Sequence, residues 1–223
     1  MALTPTGVRL QPDADCPLCP RLAAFRQDNR ARFPDHANVP VPSFGPASAR
    51  LLIVGLAPGL HGANRTGRPF TGDYAGDLLY ETLAQFGFAR GRYDRRPDDG
   101  LELVDCRIVN SARCVPPENK PTPAEVATCR RFLIDELAHL PDLRAVVALG
   151  TVAHASAVTA LGGRPARFPF AHGARHDVAL GGATGVALFD SYHCSRYNTN
   201  TGRLTPEMFH TVFKAVRDLL DAA

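Results

Sequence analysis

The chain has no tryptophan, two methionines and two lysines (Lys120 and Lys214), the last against 23 arginines. No apolar run approaches the roughly 18 residues of a membrane-spanning helix, which excludes a helical membrane protein. No basic-then-apolar segment opens the sequence, so a cytoplasmic rather than a secreted protein is expected. Repeats and low-complexity tracts are missing, as are the G-x4-G-K-[ST] and G-x-G-x-x-G phosphate loops. Charge of one sign is not in large excess, the net value being +3. What is present is ordinary globular material: 223 residues, 45% hydrophobic and 21% charged. That is one domain, spanning residues 1–223, long enough to bury a core without disulfide staples. The arginine bias has two readings. Arginine grips phosphate through a planar fork and stacks on flat groups, and genomic base composition produces the same bias.

The first 49 residues are rich in Pro, Asp, Arg and Ala and read as a loop-rich arm with one short helix near residues 22–30. Beyond them the pattern alternates. Apolar runs at residues 50–55, 103–111, 144–150 and 185–191 read as buried strands. Helical spacing marks residues 78–88, 123–140, 151–161 and 206–220. Thr122-x-x-Glu125 has the form of a capping box, and Thr205 before Pro206 is a second helix start. Strands alternating with helices predict an α/β fold: a three-layer α/β/α sandwich around a four-stranded parallel sheet.

In such a sheet, ligands sit outside the carboxyl ends of the strands. Three loops there are unusually polar and glycine-rich: residues 55–73, 110–121 and 193–203. They are distant in sequence, yet the fold opens all three on one rim. The first holds five glycines, which lets backbone N–H groups approach a flat or anionic ligand. Phe70 in that loop either plugs into the core or serves the ligand.

Six cysteines stand at positions 16, 19, 106, 114, 129 and 194. Cys16-Pro-Leu-Cys19 is a C-x2-C pair on the arm. Cys129 lies on the inward stripe of its helix with Val126, Leu133 and Leu137, and Cys114 lies in the loop feeding that helix. The four can meet where the arm packs on the body. Their spacing suits zinc slightly better than iron–sulfur; a chance pair with two buried thiols, or a redox pair, are the other readings. Cys106 sits inside a strand and reads as core.

The residues carry a resemblance. Gly55-Leu-Ala-Pro-Gly59 followed by His61-Gly-Ala-Asn-Arg-Thr-Gly-Arg-Pro-Phe-Thr-Gly-Asp73 resembles the first motif of the uracil-DNA glycosylase superfamily, most closely its fifth family, the type B enzymes of bacteria and archaea. Val109-Asn-Ser-Ala-Arg-Cys-Val-Pro-Pro-Glu-Asn-Lys-Pro121 and His193-Cys-Ser195, with the run from Asn198 to Thr205, are the second and third matches. The cysteine framework matches as well, and the likeness runs from about Cys16 to about Leu220.

What the resemblance implies is a DNA repair enzyme. It would cut the N-glycosidic bond of uracil, and of other deaminated or oxidised bases, and leave an abasic site. It implies a [4Fe–4S] cluster on Cys16, Cys19, Cys114 and Cys129, in place of zinc. Phe70 matches the ring that stacks on the extruded base, Asn110 the asparagine on the pyrimidine edge, and His193 the donor to the base O2. Asp73 matches the acid acting on the sugar side. The backbone of Gly55, Leu56, Ala57 and Gly59 would line the base pocket. On the rim itself, Arg65, Arg68, Ser195, Arg196 and Arg203 either meet the DNA backbone or form a solvated loop face, and Arg196 with Tyr197 either fills the gap left in the stack or forms an exposed turn. The expected partner is damaged DNA, with no membrane, for a monomer in the cytoplasm at the nucleoid. Two departures stand out: Cys194 replaces the proline usual after the third-motif histidine, and Gly59 replaces an alanine. The alternative is a non-catalytic iron–sulfur DNA-binding module on the same fold.

Overall fold

The computed structural model describes residues 11–180 and 183–222, so the first ten residues of the arm lie outside it. In chain order the elements are α1 (Pro20–Arg32), β1 (Leu51–Gly55), α2 (Ala63–Thr66), α3 (Tyr74–Gln85), β2 (Ala89–Arg90), β3 (Glu102–Leu103) and β4 (Cys106–Asn110). Then come α4 (Pro123–Ala138), β5 (Ala145–Leu149), α5 (Thr151–Ala160), β6 (Arg175–Leu180), β7 (Ala183–Ser191), α6 (Arg196–Asn200) and α7 (Pro206–Asp221).

The central sheet runs β4-β1-β5-β7-β6. Its first four strands are mutually parallel, as expected, and every residue of β1 and β5 is buried. Both sheet faces are covered, and successive side chains point to opposite faces. Leu51, Ile53 and Val147 pack with Leu79, Leu83, Phe209 and Phe213 of α3 and α7. Leu52, Val54 and Val146 pack with Leu133, Leu137 and Ala157 of α4 and α5. The result is the predicted three-layer sandwich.

Two details depart from expectation. A fifth strand, β6, pairs antiparallel with β7 at the edge of the sheet. Its opening Arg175, His176 and Asp177 alternate exposed and half-buried, so no apolar run marked it. The strand expected over residues 103–111 is split at Asp105, whose φ is +54°. Glu102–Leu103 joins the small β2–β3 pair, and only Cys106–Asn110 enters the main sheet. Asp105 at the break holds Arg50, accepting its backbone N–H at 2.9 Å and pairing with its guanidinium at 2.7 Å.

The cap signals are present: Thr122 and Glu125 form the reciprocal capping box of α4, and Thr205 Oγ1 accepts the Met208 N–H at the start of α7. The arm is bound tightly to the body. Arg21 forks onto Glu125 at 2.8 and 2.7 Å, and the buried Arg26 reaches Cys114 Sγ at 3.4 Å and Cys16 O at 3.0 Å. Inside the body, the fully buried Arg113 pairs with Glu136. Among the described residues no helix is long and apolar enough to cross a membrane.

Candidate functional site

The three rim loops converge on one cleft of about 610 Å³ at the carboxyl ends of β1, β4 and β7. The loop after β1 supplies Leu56, Ala57, Gly59, Phe70 and Asp73 to its wall. The loop after β4 supplies Asn110 and Asn119, and that after β7 supplies His193, Ser195 and Arg196.

Gly55 lies behind this wall, where it sets the packing. A Cβ at this position would collide with Asn110 Oδ1 and stand 2.7 Å from the Phe70 ring. The missing side chain therefore lets the amide and the ring sit side by side. Phe70 takes a left-handed backbone with φ +51°, a costly conformation for a ring-bearing residue. It is held there from below. Tyr93 Oη donates to Phe70 O at 3.2 Å, Tyr80 Oη donates to Pro69 O at 2.6 Å, and Gly76 leaves the space that the Phe70 carbonyl fills. The ring faces His193 with centroids 5.8 Å apart and planes inclined by 26°.

The polar atoms at the site are short of partners. Asn110 is 4% exposed, and its Oδ1 has no hydrogen-bond partner. Asp73 occupies the N-cap position of α3 but closes no capping bond, and its Oδ1 is also buried and unpartnered. Such groups are costly without a ligand, which marks them as available to one. Burial pushes the Asp73 carboxyl above the usual carboxylate range, against the pull of the N–H groups at the start of the helix. Burial lowers the His193 imidazole to about 4, so the ring is neutral at pH 7. Its loop is fixed by Asn198 Nδ2, which donates to His193 O at 2.8 Å. Cys194 is fully buried, and its thiol donates to Ala75 O at 3.4 Å, tying this loop to the first turn of α3.

The arginines divide. Arg65 is exposed, and among the described residues its guanidinium hydrogen-bonds to the carbonyls of His61 and Gly72. Arg196 lies on the cleft rim, 5.3 Å over the Tyr74 ring, and Arg203 lies 4.6 Å over Tyr192. Arg68, expected at a DNA phosphate, is instead inside the protein. It is 6% exposed, forks onto the buried Asp99 at 2.8 and 2.7 Å, and lies over the rings of Phe44 and Tyr80. Its Nε donates to Thr71 Oγ1 at 2.8 Å and its Nη1 also reaches Pro97 O at 3.4 Å. The Ser195 hydroxyl caps α6 by accepting the Asn198 N–H at 3.4 Å. Tyr197 beside it is 73% exposed.

Cys16, Cys19, Cys114 and Cys129 line one small cavity between the arm and α4, walled by Leu18, Leu22 and Phe132. Burial and the neighbouring Cys129 push the Cys19 thiol up to about 11, and burial pushes Cys114 up to about 12. Four soft donors around one small cavity, three of them (Cys19, Cys114 and Cys129) made costly to deprotonate by burial, are a set suited to a cation that neutralises them. Arg113 N–H on Cys129 Sγ at 3.3 Å and Arg26 on Cys114 Sγ suit sulfurs carrying negative charge. Cys106 is plain core.

The family model of the uracil DNA glycosylase superfamily matches residues 42–217. The chain belongs to the uracil-DNA glycosylase superfamily. It is 44% identical over 209 residues to a type-5 uracil-DNA glycosylase of Thermus thermophilus, covering 92% of this chain and 93% of that one. It is 42% identical to the type-5 enzyme of Mycobacterium bovis, over 92% of this chain and 78% of that one. For a type-5 enzyme of Pyrobaculum aerophilum the identity is 39%, over 90% and 87%.

For this member of the superfamily, sequence reasoning missed five residues of the cleft. Ala63 lies in α2, a stretch that reads as loop, Gly72 precedes Asp73, and Tyr74 and Ala75 open α3, whose expected start is residue 78. Asn119 follows Glu118 in a turn where both residues have positive φ, +56° and +54°. The prolines at 116, 117 and 121 around a Glu-Asn pair were the available signal of a rigid, strained turn.

Proposed function

We propose that this member of the superfamily hydrolyses the N-glycosidic bond of uracil in DNA, and of other deaminated or oxidised bases, leaving an abasic site. The observation that carries the reading is the meeting of Phe70, Asn110, His193 and Asp73 in one cleft. In a duplex the glycosidic carbon is shielded, so the nucleotide must be extruded into the cleft. Phe70 then offers a ring to stack on the base. The unpartnered Asn110 Oδ1 suits the N3–H of uracil, while the amide N–H suits O4. Cytosine presents the opposite pattern at these two atoms.

Bond cleavage leaves charge on the base and a cation-like sugar, so the barrier is lowered mainly by electrostatics. A neutral His193 donates to O2 as negative charge develops there. Asp73 supplies negative charge on the sugar side, and its raised pKa makes it the better base toward the attacking water. Arg65, Arg196 and Arg203 serve the phosphates, and Arg196 with the exposed Tyr197 fills the gap in the stack. Cys16, Cys19, Cys114 and Cys129 hold a [4Fe–4S] cluster, which supplies a structural cross-link between arm and body. The protein acts as a monomer on damaged DNA at the nucleoid.

The test is end-labelled duplex DNA with a single uracil, incubated with the protein and treated with alkali. Strand breaks at the uracil are expected. Binding of the DNA without breaks would leave a non-catalytic DNA-binding module, and neither binding nor breaks would remove the reading.

A further inference from the structure

A second cleft, of about 530 Å³, opens on the other side of α2. The four-residue helix is the shared wall: Ala63 faces the first cleft, and Arg65 and Thr66 face the second. The end of α1 and the segment after β2 complete it with Arg32, Phe33, His36, Arg95 and Arg96.

Its chemistry is flat rings beside cations. Phe33 and His36 stack at 4.9 Å, and the exposed His61 meets both edge-on at 5.4 and 5.6 Å. The Arg32 guanidinium lies 5.3 Å from the Phe33 ring centroid. Arg95 is neutralised by Asp77, and Arg96 has Asp94 and Asp98 at 3.8 and 3.9 Å. Arg32 and Arg65 have no acidic partner among the described residues, and Asp35 is the only acid on the wall. Two guanidinium groups whose charge no carboxylate offsets, one of them already oriented by the carbonyls of His61 and Gly72, stand next to a ring cluster and match a phosphate with an attached base. Among the described residues no amide side chain lines the cleft, so the recognition rests on charge and on flat ring faces.

We propose that this cleft is a second nucleotide subsite, which holds one nucleotide of the damaged strand beyond the extruded one. Its phosphate lies on Arg32 and Arg65, and its base lies against Phe33 and His61. A helix is about 10 Å across, the rise of about three stacked nucleotides at ~3.4 Å each, so the two subsites are close enough for one strand to fill both. The proposal rests on the glycosylase reading for the identity of the strand, although its chemistry requires only single-stranded DNA.

The experiment is fluorescence anisotropy with single strands carrying a stable abasic analogue, one set with eight-nucleotide flanks and one trimmed to a single nucleotide on each side. The variants are Arg32→Gln and His61→Ala, both exposed and outside the first cleft. On the long probe Arg32→Gln is expected to weaken binding about fivefold and to reduce the salt slope by ~0.7, the value for one phosphate contact on a single strand. His61→Ala is expected to weaken it at least about fivefold with the slope unchanged, the lower end of base–aromatic stacking. On the trimmed probe both should match the parent. Parent-like affinity and slope on the long probe would overturn the subsite, and so would equal losses on both probes. A second readout does not depend on variant folding: a photoreactive 4-thiothymidine within three nucleotides of the abasic site should cross-link to Phe33 or His61. Cross-linking only at the first cleft would also overturn it. If the parent fails to excise uracil but the long-probe losses are seen, the glycosylase reading falls and the subsite stands; normal excision without those losses gives the reverse.

Discussion

Gly55 and Asn110 are register partners at the carboxyl ends of β1 and β4, and the amide oxygen of Asn110 occupies the space a side chain at 55 would need. The end of the sheet is thus shaped to hold one amide beside one ring. Gly55→Ala should displace both, so uracil excision should fall by roughly 10²-fold, as expected for an angstrom-scale misplacement. Stability should fall by only about 1–3 kcal/mol, the usual cost of overpacking. Gly59→Ala is the contrast. Its Cβ would stand 3.1 Å from Asp73 Oδ2, a contact that a small shift relieves. Single-turnover rates and urea melts of the two variants give the comparison, and equal rates would show that the close approach at 55 is not needed.

Much of this site could be read from the sequence because the rim follows from the strands. Leu51–Gly55 and Ala145–Leu149 are short apolar runs buried on both faces, and such runs fix where the loops begin. What could not be read depends on contacts distant along the chain. Arg68 looked like a solvent-facing cation in a polar loop, but its partner Asp99 lies 31 residues away. The left-handed turn at Phe70 depends on Tyr93 and Gly76, neither of which its own neighbours reveal. β6 was missed because an edge strand with one half-exposed face has no apolar run. α6 was missed because Arg196–Asn200 is polar and only five residues long.

The role proposed for Asp73 carries a cost to stability. Its carboxyl is buried without a partner for Oδ1, and its pKa is raised. Above that raised pKa the folded state carries a desolvated charge that the unfolded state does not, and the penalty is relieved as pH falls through it. Asp73→Asn should therefore raise the thermal midpoint at pH 7.5, by roughly 2–4 °C for each kcal/mol recovered. The gain over the parent should shrink as the pH is lowered toward 4. Excision should drop by about 10²-fold or more, the scale of losing a general base. A lower midpoint at pH 7.5 would mean that the carboxylate has a stabilising partner, as a helix cap would.

The cysteine cavity predicts metal and stability together. Protein purified without oxygen should be brown and carry about four irons, as a [4Fe–4S] cluster requires. Cys16→Ala should lose the colour and a large part of the stability, because binding of a structural metal is folding energy. Cys106→Ala should keep the colour, since that thiol is buried in the sheet core away from the other four. Stoichiometric zinc without iron would favour the alternative that the cysteine spacing alone suggests.

In the proposed leaving-group step, His193 distinguishes charge from dipole. With its pKa lowered to about 4 the ring is neutral through the working range, so on the glycosylase reading it would act as an oriented N–H donor and not as a cation. The single-turnover rate should show no inflection near 6.5, the ordinary histidine value. His193→Ala should lower that rate by about 10²-fold, the scale of losing one oriented donor to developing charge. Binding to abasic DNA should change much less, because phosphate contacts supply most of it. The same shift predicts a stability signature of known sign. Between about 6.5 and about 4 the unfolded chain binds the proton that the folded ring refuses, so stability falls as pH drops through that window. In His193→Ala the decline from pH 7.5 to pH 5 should be shallower than in the parent. An inflection near 6.5 that disappears in His193→Ala, with parallel pH–stability curves, would mean that the ring titrates at the ordinary histidine value and is not held neutral by burial. A rate that rises as pH falls through that inflection would then mean that the developing charge on the base is met by a cation.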